Sequence, residues 1–459
     1  MKQVDILAEQ KRMTEEPVSR LVLRLALPTT ISQLITVLYN TADTYFVSQI
    51  GTGAAGAVGV VFAVMGMIQA VGFGMGMGTG SIISRSLGAK ENERAEKFAA
   101  SGFLIAALLG LILMTSGLIA LRPLMELLGA TQTILPYCEE YAKYILLGAP
   151  VMCASFVLSC ILRSEGEAKF AMVGLTAGGL LNVALDPLLI YTLNMGIAGA
   201  AVATVISQCI SFIVLIIFFM LKKSVVPLKL KKISTKPKDY FMIVKIGFPT
   251  ICRQSLSSVA SALLTIEAKP FGDAAIAAVT IANKIYMLVR NIVIGIGQGL
   301  QPVAGYNYGA KRIDRVREGF YFAVKLGTAV CVALAAVIAL NAGAIAGIFR
   351  SDDSKVIEIT SHTLYFACAA IPFMAYSTYV NQLQQCLGFG LSATLLACSR
   401  QGFCFIPLAI ILPMLFSLTG VEAIASVSDI LTFIITVPCQ IYFFKKHLKI
   451  EEKKSSQKC

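Results

Sequence analysis

Two aspartates, Asp43 and Asp186, interrupt stretches of this 459-residue chain that are otherwise almost free of charge. A carboxylate carried into a bilayer is costly unless it is protonated, hydrated or paired, so each is a functional candidate by default. Such a group can exchange a proton, and a small hard cation bound by oxygens can take the proton's place. Asn182 lies four residues before Asp186, on the same helical face, and Pro187 leaves the Val183 carbonyl without its helical donor. Thr204 adds a hydroxyl, and Tyr39 lies one turn from Asp43. Carboxylate, amide and hydroxyl oxygens together suit H⁺ or Na⁺, which makes Asp43, Asn182, Asp186 and Thr204 individual candidates for binding such an ion. A purely structural account would instead have Asp43 capping its helix and Asp186 bonding a neighbouring one.

Other chemistry finds little support. The twelve cysteines include no C-x-x-C pair, and with two histidines they make no cluster of metal-ligand spacing. No Walker A sequence is present, and Gly51-x-Gly53-x-x-Gly56 has no strand before it. The chain therefore reads as no enzyme and as needing no cofactor beyond the coupling ion. Arg24, Arg253 and Arg400 are expected to reach toward the cytoplasmic interface, while Lys284 and Arg290, in one apolar stretch, are expected to line a wet cavity together.

These residues must be held by membrane-spanning helices. Hydrophobic residues make up 56% of the chain and charged ones only 14%, against roughly a quarter charged in soluble domains. The apolar blocks predict twelve spans, near 21–47, 54–80, 98–121, 138–162, 168–192, 197–221, 241–268, 274–304, 318–348, 361–387, 392–418 and 421–444. Lys and Arg gather in alternate loops: 29 fall on the side of both termini, five on the opposite side and five within spans, which accounts for all 39. The positive-inside rule then puts both termini in the cytoplasm. The net charge of +13 is explained by topology and calls for no nucleic acid. Met1 to Arg20 is charged and lacks an apolar signal segment, leaving the first span to target the chain to the cell membrane.

The chain also repeats. An offset of 221 pairs Pro28 with Pro249, Thr29 with Thr250, Gln33 with Gln254 and Gly88-Ala89-Lys90 with Gly309-Ala310-Lys311. This divides it into a cytoplasmic N-terminus (1–20), an N-terminal lobe (21–221), a basic linker (222–240), a C-terminal lobe (241–444) and a basic tail (445–459). Parallel repeats of this kind hold substrate between the lobes near the bilayer midplane. The symmetry fails at the acids, since Asp43 pairs with Leu264 and Asp186 with Pro407 or Leu408, so the mid-membrane carboxylates are expected in the first half alone.

Leu27-Pro28 leading to Tyr39-Asn40-x-x-Asp43, then Asn182-x-x-x-Asp186-Pro187 and Gly199-Ala200-Ala201-x-Ala203-Thr204, resembles the multidrug and toxic compound extrusion (MATE) family. Gly297-Gln298-Gly299-Leu300-Gln301-Pro302, Tyr306-Asn307-Tyr308-Gly309 and Ser399-Arg400-Gln401 agree, and the resemblance runs from about residue 20 to 444. It implies an all-α membrane protein of two pseudo-symmetric six-helix lobes around a V-shaped cavity. It also implies a monomeric antiporter in contact with membrane lipids, exporting small organic and often cationic molecules against inward H⁺ or Na⁺. The cation site maps to Asp43, Asn182, Asp186 and Thr204, and the expected cavity residues are Gln33, Tyr39, Asn40, Gln254, Lys284, Arg290 and Gln298. A flippase for lipid-linked saccharides, which would use cationic cavity residues, and an uncoupled channel are the alternatives.

Overall fold

The computed structural model describes residues 6–349 and 353–448. The chain before Ile6, Arg350 and the end of the basic tail beyond Leu448 lie outside the described residues. Among the described residues all regular structure is helical, as a chain crossing hydrocarbon must be when it has no water to satisfy its backbone.

A short helix, α1 (Ile6–Glu15), precedes seven helices of the first lobe: α2 (Val18–Ser48), α3 (Thr52–Gly88), α4 (Asn92–Ile119), α5 (Leu121–Leu127), α6 (Leu135–Ser164), α7 (Ala168–Pro187) and α8 (Gly196–Met220). The second lobe follows with α9 (Pro237–Ala268), α10 (Asp273–Gly309), α11 (Ile313–Leu340), α12 (Ala342–Phe349), α13 (Ser354–Cys386), α14 (Gly390–Cys398) and α15 (Phe405–Phe443). Ten of the described helical tracts are individually long and apolar enough to cross a membrane. Twelve crossings result because Gly390–Leu448 is one apolar tract broken at Ser417, whose φ of 53° and ψ of −131° are not helical. The remaining crossing is α9, whose hydropathy is diluted by Arg253, Gln254 and four serines.

The repeat found in the sequence is an axis in the fold. α3, α4 and α5 begin at residues 52, 92 and 121, each 221 before the start of α10, α11 and α12 at 273, 313 and 342. Gly51 and Gly272 precede α3 and α10 with φ of 154° and 91°, backbone that residues with a side chain rarely adopt. The lobes meet through symmetric pairs. A methyl group at Gly88 would overlap the Tyr306 carbonyl, and one at Gly309 would overlap the Arg85 carbonyl. Gly74 packs on Ile251 as Gly295 packs on Thr30, and Gly78 packs on Gly247 as Gly299 packs on Ala26.

That contact exists at one end only. Along α3, Gly88, Gly78 and Gly74 abut the other lobe, Gly66 meets only Ser258 at 3.7 Å, and Gly59 faces open space. The lobes are therefore closed at the end carrying the basic loops, hereafter the basic end, and open toward the other. Thr29 Oγ1 donates to the Gly295 carbonyl at 2.7 Å and Ser81 Oγ to the Cys386 carbonyl at 2.8 Å across this closure. α1 lies over it, with Gln10 donating to Leu87 of the first lobe at 3.0 Å and Asn307 of the second donating to Met13 at 3.0 Å.

Candidate functional site

In the first lobe, four helices bring the expected set together. Asp43 on α2 is buried and accepts from the Tyr141 hydroxyl of α6 at 3.2 Å. On α7, Asn182 Nδ2 donates to Asp186 Oδ1 at 3.2 Å and to Thr204 Oγ1 of α8 at 3.3 Å. The i, i+4 spacing places Asn182 beside Asp186. A close approach of α7 to α2 completes the arrangement, since Gly179 leaves room for the Tyr39 ring, and Tyr39 is buried beside Asp43. Pro187 is followed by a π-helical turn, Leu188–Thr192, which re-aims the chain just past Asp186.

This network is incomplete in a specific way. Asp43 Oδ1, Asn182 Oδ1 and Asp186 Oδ2 are buried and accept no hydrogen bond within the described residues. Buried oxygens without donors cost free energy, and two carboxylates near one another cost more. A shared proton, or a Na⁺ ligated by these oxygens and the Thr204 hydroxyl, would satisfy them. Tyr141 belongs to the site although nothing in the spacing pointed to it; it sits 98 residues from Asp43, and only packing of α6 on α2 brings them together. The site also lies higher than expected. Asp43 stands five residues from the end of α2 at Ser48, so at about 1.5 Å per residue it is roughly 8 Å from the open end of that helix.

The second lobe corrects the sequence expectation of an acid-free half. Asp429 on α15 is 1% exposed, accepts from the Tyr286 hydroxyl, and its Oδ1 lies 2.5 Å from Arg400 Nε. Its position within the last apolar block was a legible signal, but its partners come from helices far away in sequence. Arg400 accordingly does not reach the interface; it sits in a π-helical segment, Ser399–Cys404, turned toward Asp429. Arg253 stands near the middle of α9, within electrostatic reach of Arg400.

Lys284 and Arg290 part company. Six residues at 100° each rotate one side chain 240° from the other. Arg290 lines a cavity with Ser257, Ser261, Asn283, Tyr286 and Arg400, and donates to Ser257 Oγ at 2.9 Å, whereas Lys284 is exposed and outside that cavity. Gln33, Asn40 and Gln254 are half-buried, and among the described residues their side chains make no hydrogen bond. Gln298 is buried toward the basic end, where it accepts from Arg163, in a cavity of about 30 Å³ that it lines with Gln301, Ser81 and Gln385 of the two lobes.

Acids outside the spans cluster over the closure. Glu165 accepts from Ser224 Oγ at 2.8 Å and from the Val225 amide at 2.8 Å. Burial nevertheless pushes its carboxyl up to about 8, and burial also pushes Glu9 up to about 7 although Arg12 opposes this from 2.5 Å.

The comparisons with known proteins agree with this geometry. Residues 28–188 and 249–412 each match the family described as MatE, two matches that begin 221 residues apart. The multidrug export protein MepA of Staphylococcus saprophyticus is 27% identical over 403 residues, which cover 87% of this chain and 88% of that protein. MepA of Staphylococcus aureus is 28% identical over 410 residues, covering 89% and 90%. An outward-facing multidrug resistance MATE family transporter of the MOP superfamily superposes with a TM-score of 0.90 at 26% identity, over 99% of this chain and all of that one. A MOP superfamily transporter of Pyrococcus furiosus, whose binding pocket is described as of reverse polarity, gives 0.90 at 27% identity over 97% and 100%.

Proposed function

This chain belongs to the MatE family, whose members are transporters and not enzymes, and we propose that it exports organic molecules in exchange for H⁺ or Na⁺ by alternating access. The observation that carries this reading is the group of three buried, unpartnered oxygens on Asp43, Asn182 and Asp186. By the positive-inside rule the closed, basic end faces the cytoplasm, so this is an outward-open state. The relatives' names, as multidrug export proteins, support organic compounds as cargo.

In this state a proton or Na⁺ enters from outside and neutralises Asp43 and Asp186. With the charge removed, α2 and α7 pack closer, Tyr39 shifts with them, and bound substrate is released outward. The lobes then rock about the glycine contacts, breaking the closure at the basic end and opening the cleft to the cytoplasm. There the ion leaves as new substrate binds. Exchange requires that ion and substrate oppose each other's binding, which a shared dependence on the position of α2 provides.

The test is efflux of an organic dye from proteoliposomes under a pH gradient and a Na⁺ gradient imposed separately. One gradient should drive wild-type flux, and Asp43→Asn and Asp186→Asn should reduce it to the protein-free background while the purified variants remain folded. Flux indifferent to both gradients and to both substitutions would overturn coupled exchange. The arginines of the second lobe favour one alternative, movement of a lipid-linked saccharide, which would show as lipid translocation that these two substitutions leave intact.

A further inference from the structure

The second lobe holds three guanidinium groups near the middle of its helices: Arg253 on α9, Arg290 on α10 and Arg400 in the π-helical segment before α15. One carboxylate, Asp429, faces them, and it is already engaged by Arg400 and the Tyr286 hydroxyl. Arg400 is thereby neutralised. Arg290 donates to the neutral Ser257 hydroxyl at 2.9 Å and lies within electrostatic reach of Asp429 without pairing with it, and Arg253 makes no hydrogen bond or ion pair among the described residues. Both feel the positive charge of Arg400, and Arg290 also feels Arg253. Two like charges at bilayer depth, whose one nearby carboxylate is already paired with Arg400, are costly, and such residues mark binding paths.

The cavity beside them sets polar groups against apolar ones such as Leu264, Met287 and Phe405, as an amphipathic ligand would need. Arg290 and Arg400 line it with Ser257, Asn283, Tyr286 and Ser428. Its volume, about 40 Å³, exceeds the roughly 10–15 Å³ that one water needs. Arg253 stands one turn before Ser257 on the same face of α9, next to the cavity and outside its lining. The charges are absent from the first lobe. At the repeat offset of 221, Arg253 corresponds to Ser32, Tyr286 to Met65 and Arg290 to Gln69.

We propose that this cavity of the second lobe is an anion subsite, in which Arg253 and Arg290 bind a carboxylate, sulfonate or phosphate group of an amphipathic molecule. Arg290 reaches the group from α10 and Arg253 from α9, while Asp429 fixes Arg400 so that it closes the far wall. Asn283 and Ser257 supply neutral hydrogen bonds. The ligand is thus an organic anion or zwitterion, or an anionic lipid headgroup of the same chemistry. The assignment rests on the transport reading only for calling that ligand a substrate; the subsite itself stands on charge and geometry.

Equilibrium binding separates the two. Fluorescence anisotropy with full-length protein in neutral-lipid nanodiscs should be read with fluorescein, an anion, and with rhodamine 123, a cation on the same xanthene skeleton. Wild type should bind fluorescein at least about tenfold more tightly than rhodamine 123, and Arg253→Gln/Arg290→Gln should lose at least about tenfold for fluorescein alone, an effect of the size expected for charge-assisted hydrogen bonds. Arg290→Lys, which keeps the charge, should retain most of the binding. Asp186→Asn should leave fluorescein binding intact even where it abolishes efflux, so loss of coupling and loss of the subsite remain distinct. In nanodiscs containing phosphatidylglycerol, displacement of fluorescein would identify a lipid headgroup as occupant, and unchanged binding a soluble anion; both uphold the subsite. Equal affinities for the two dyes in wild type, or fluorescein binding unaltered in the folded double variant, would overturn it.

Discussion

In the first lobe Asp43 and Asp186 leave negative charge unmatched near the open end of the cleft, while in the second Arg253 and Arg290 leave positive charge unmatched near mid-depth. The scaffold beneath is the same: helices start 221 residues apart and meet through matching glycines. Leu264 stands where the repeat would place a second Asp43, and packs with Ala260 and Phe405 in an apolar cluster. Duplicated helices thus carry opposite chemistry because a lobe's charge is set by a few inward-facing positions. Packing at the closure constrains the glycines on both sides equally and leaves those inward positions free to diverge. The exchange of charge between lobes also separates two tasks, ion coupling and recognition of a ligand's charged group.

The comparison can be broken most forcefully at Asp429. If it serves only to hold Arg400, Asp429→Asn strands a buried guanidinium and should cost about 3–5 kcal/mol, read as a lower unfolding temperature in detergent. Asp429→Leu/Arg400→Met should recover much of that loss. A folded, fully stable Asp429→Asn protein that has lost gradient-driven flux would instead place a coupling acid in each lobe.

A smaller effect distinguishes titration at the closure from titration at the ion site. Glu165 is raised by burial from 4.5 to about 8, so the folded state holds a proton that the unfolded chain releases. Its contribution is complete below pH 4.5 and is lost as pH rises through 8. The unfolding temperature should therefore fall between pH 6 and 9, and fall less in Glu165→Gln, with Glu9 responsible for part of the remainder. If Glu165→Gln abolished the pH dependence of transport as well, the proton that drives exchange would have to be sought at the closure.

The mildest test concerns Tyr141. Removing its hydroxyl in Tyr141→Phe deletes one hydrogen bond to Asp43, worth about 1 kcal/mol net. The concentration of H⁺ or Na⁺ giving half-maximal flux should shift severalfold, with flux at saturation kept. No shift would confine the first-lobe site to α2, α7 and α8.

Much of this was legible without coordinates. The twelve apolar blocks, the side on which Lys and Arg collect and the repeat at 221 follow from the bilayer's demand for long uncharged helices and from residues at fixed offsets. So did the Asn182/Asp186 pair, because one helical turn is a local rule, and Asp43, because a lone acid in an apolar run is conspicuous. The rest was decided only by tertiary packing. Tyr141 and Asp43 are 98 residues apart, and Arg400 and Asp429 are 29 apart on different helices. No periodicity reports which helix faces which. Lys284 and Arg290 seemed to belong together by proximity in sequence, yet helical rotation sends them to different faces, and the packing of α9, α10 and α15 within the second lobe puts Arg290, and not Lys284, on the cavity there. Gln298, placed by sequence in the substrate cavity, lines a small cavity between the lobes near the closure, where α10 brings it to Arg163 of the first lobe. Sequence fixes what each helix can present along its own length; the partner each face meets depends on contacts between distant segments, and that is where the functional charges acquired or lost their counter-charges.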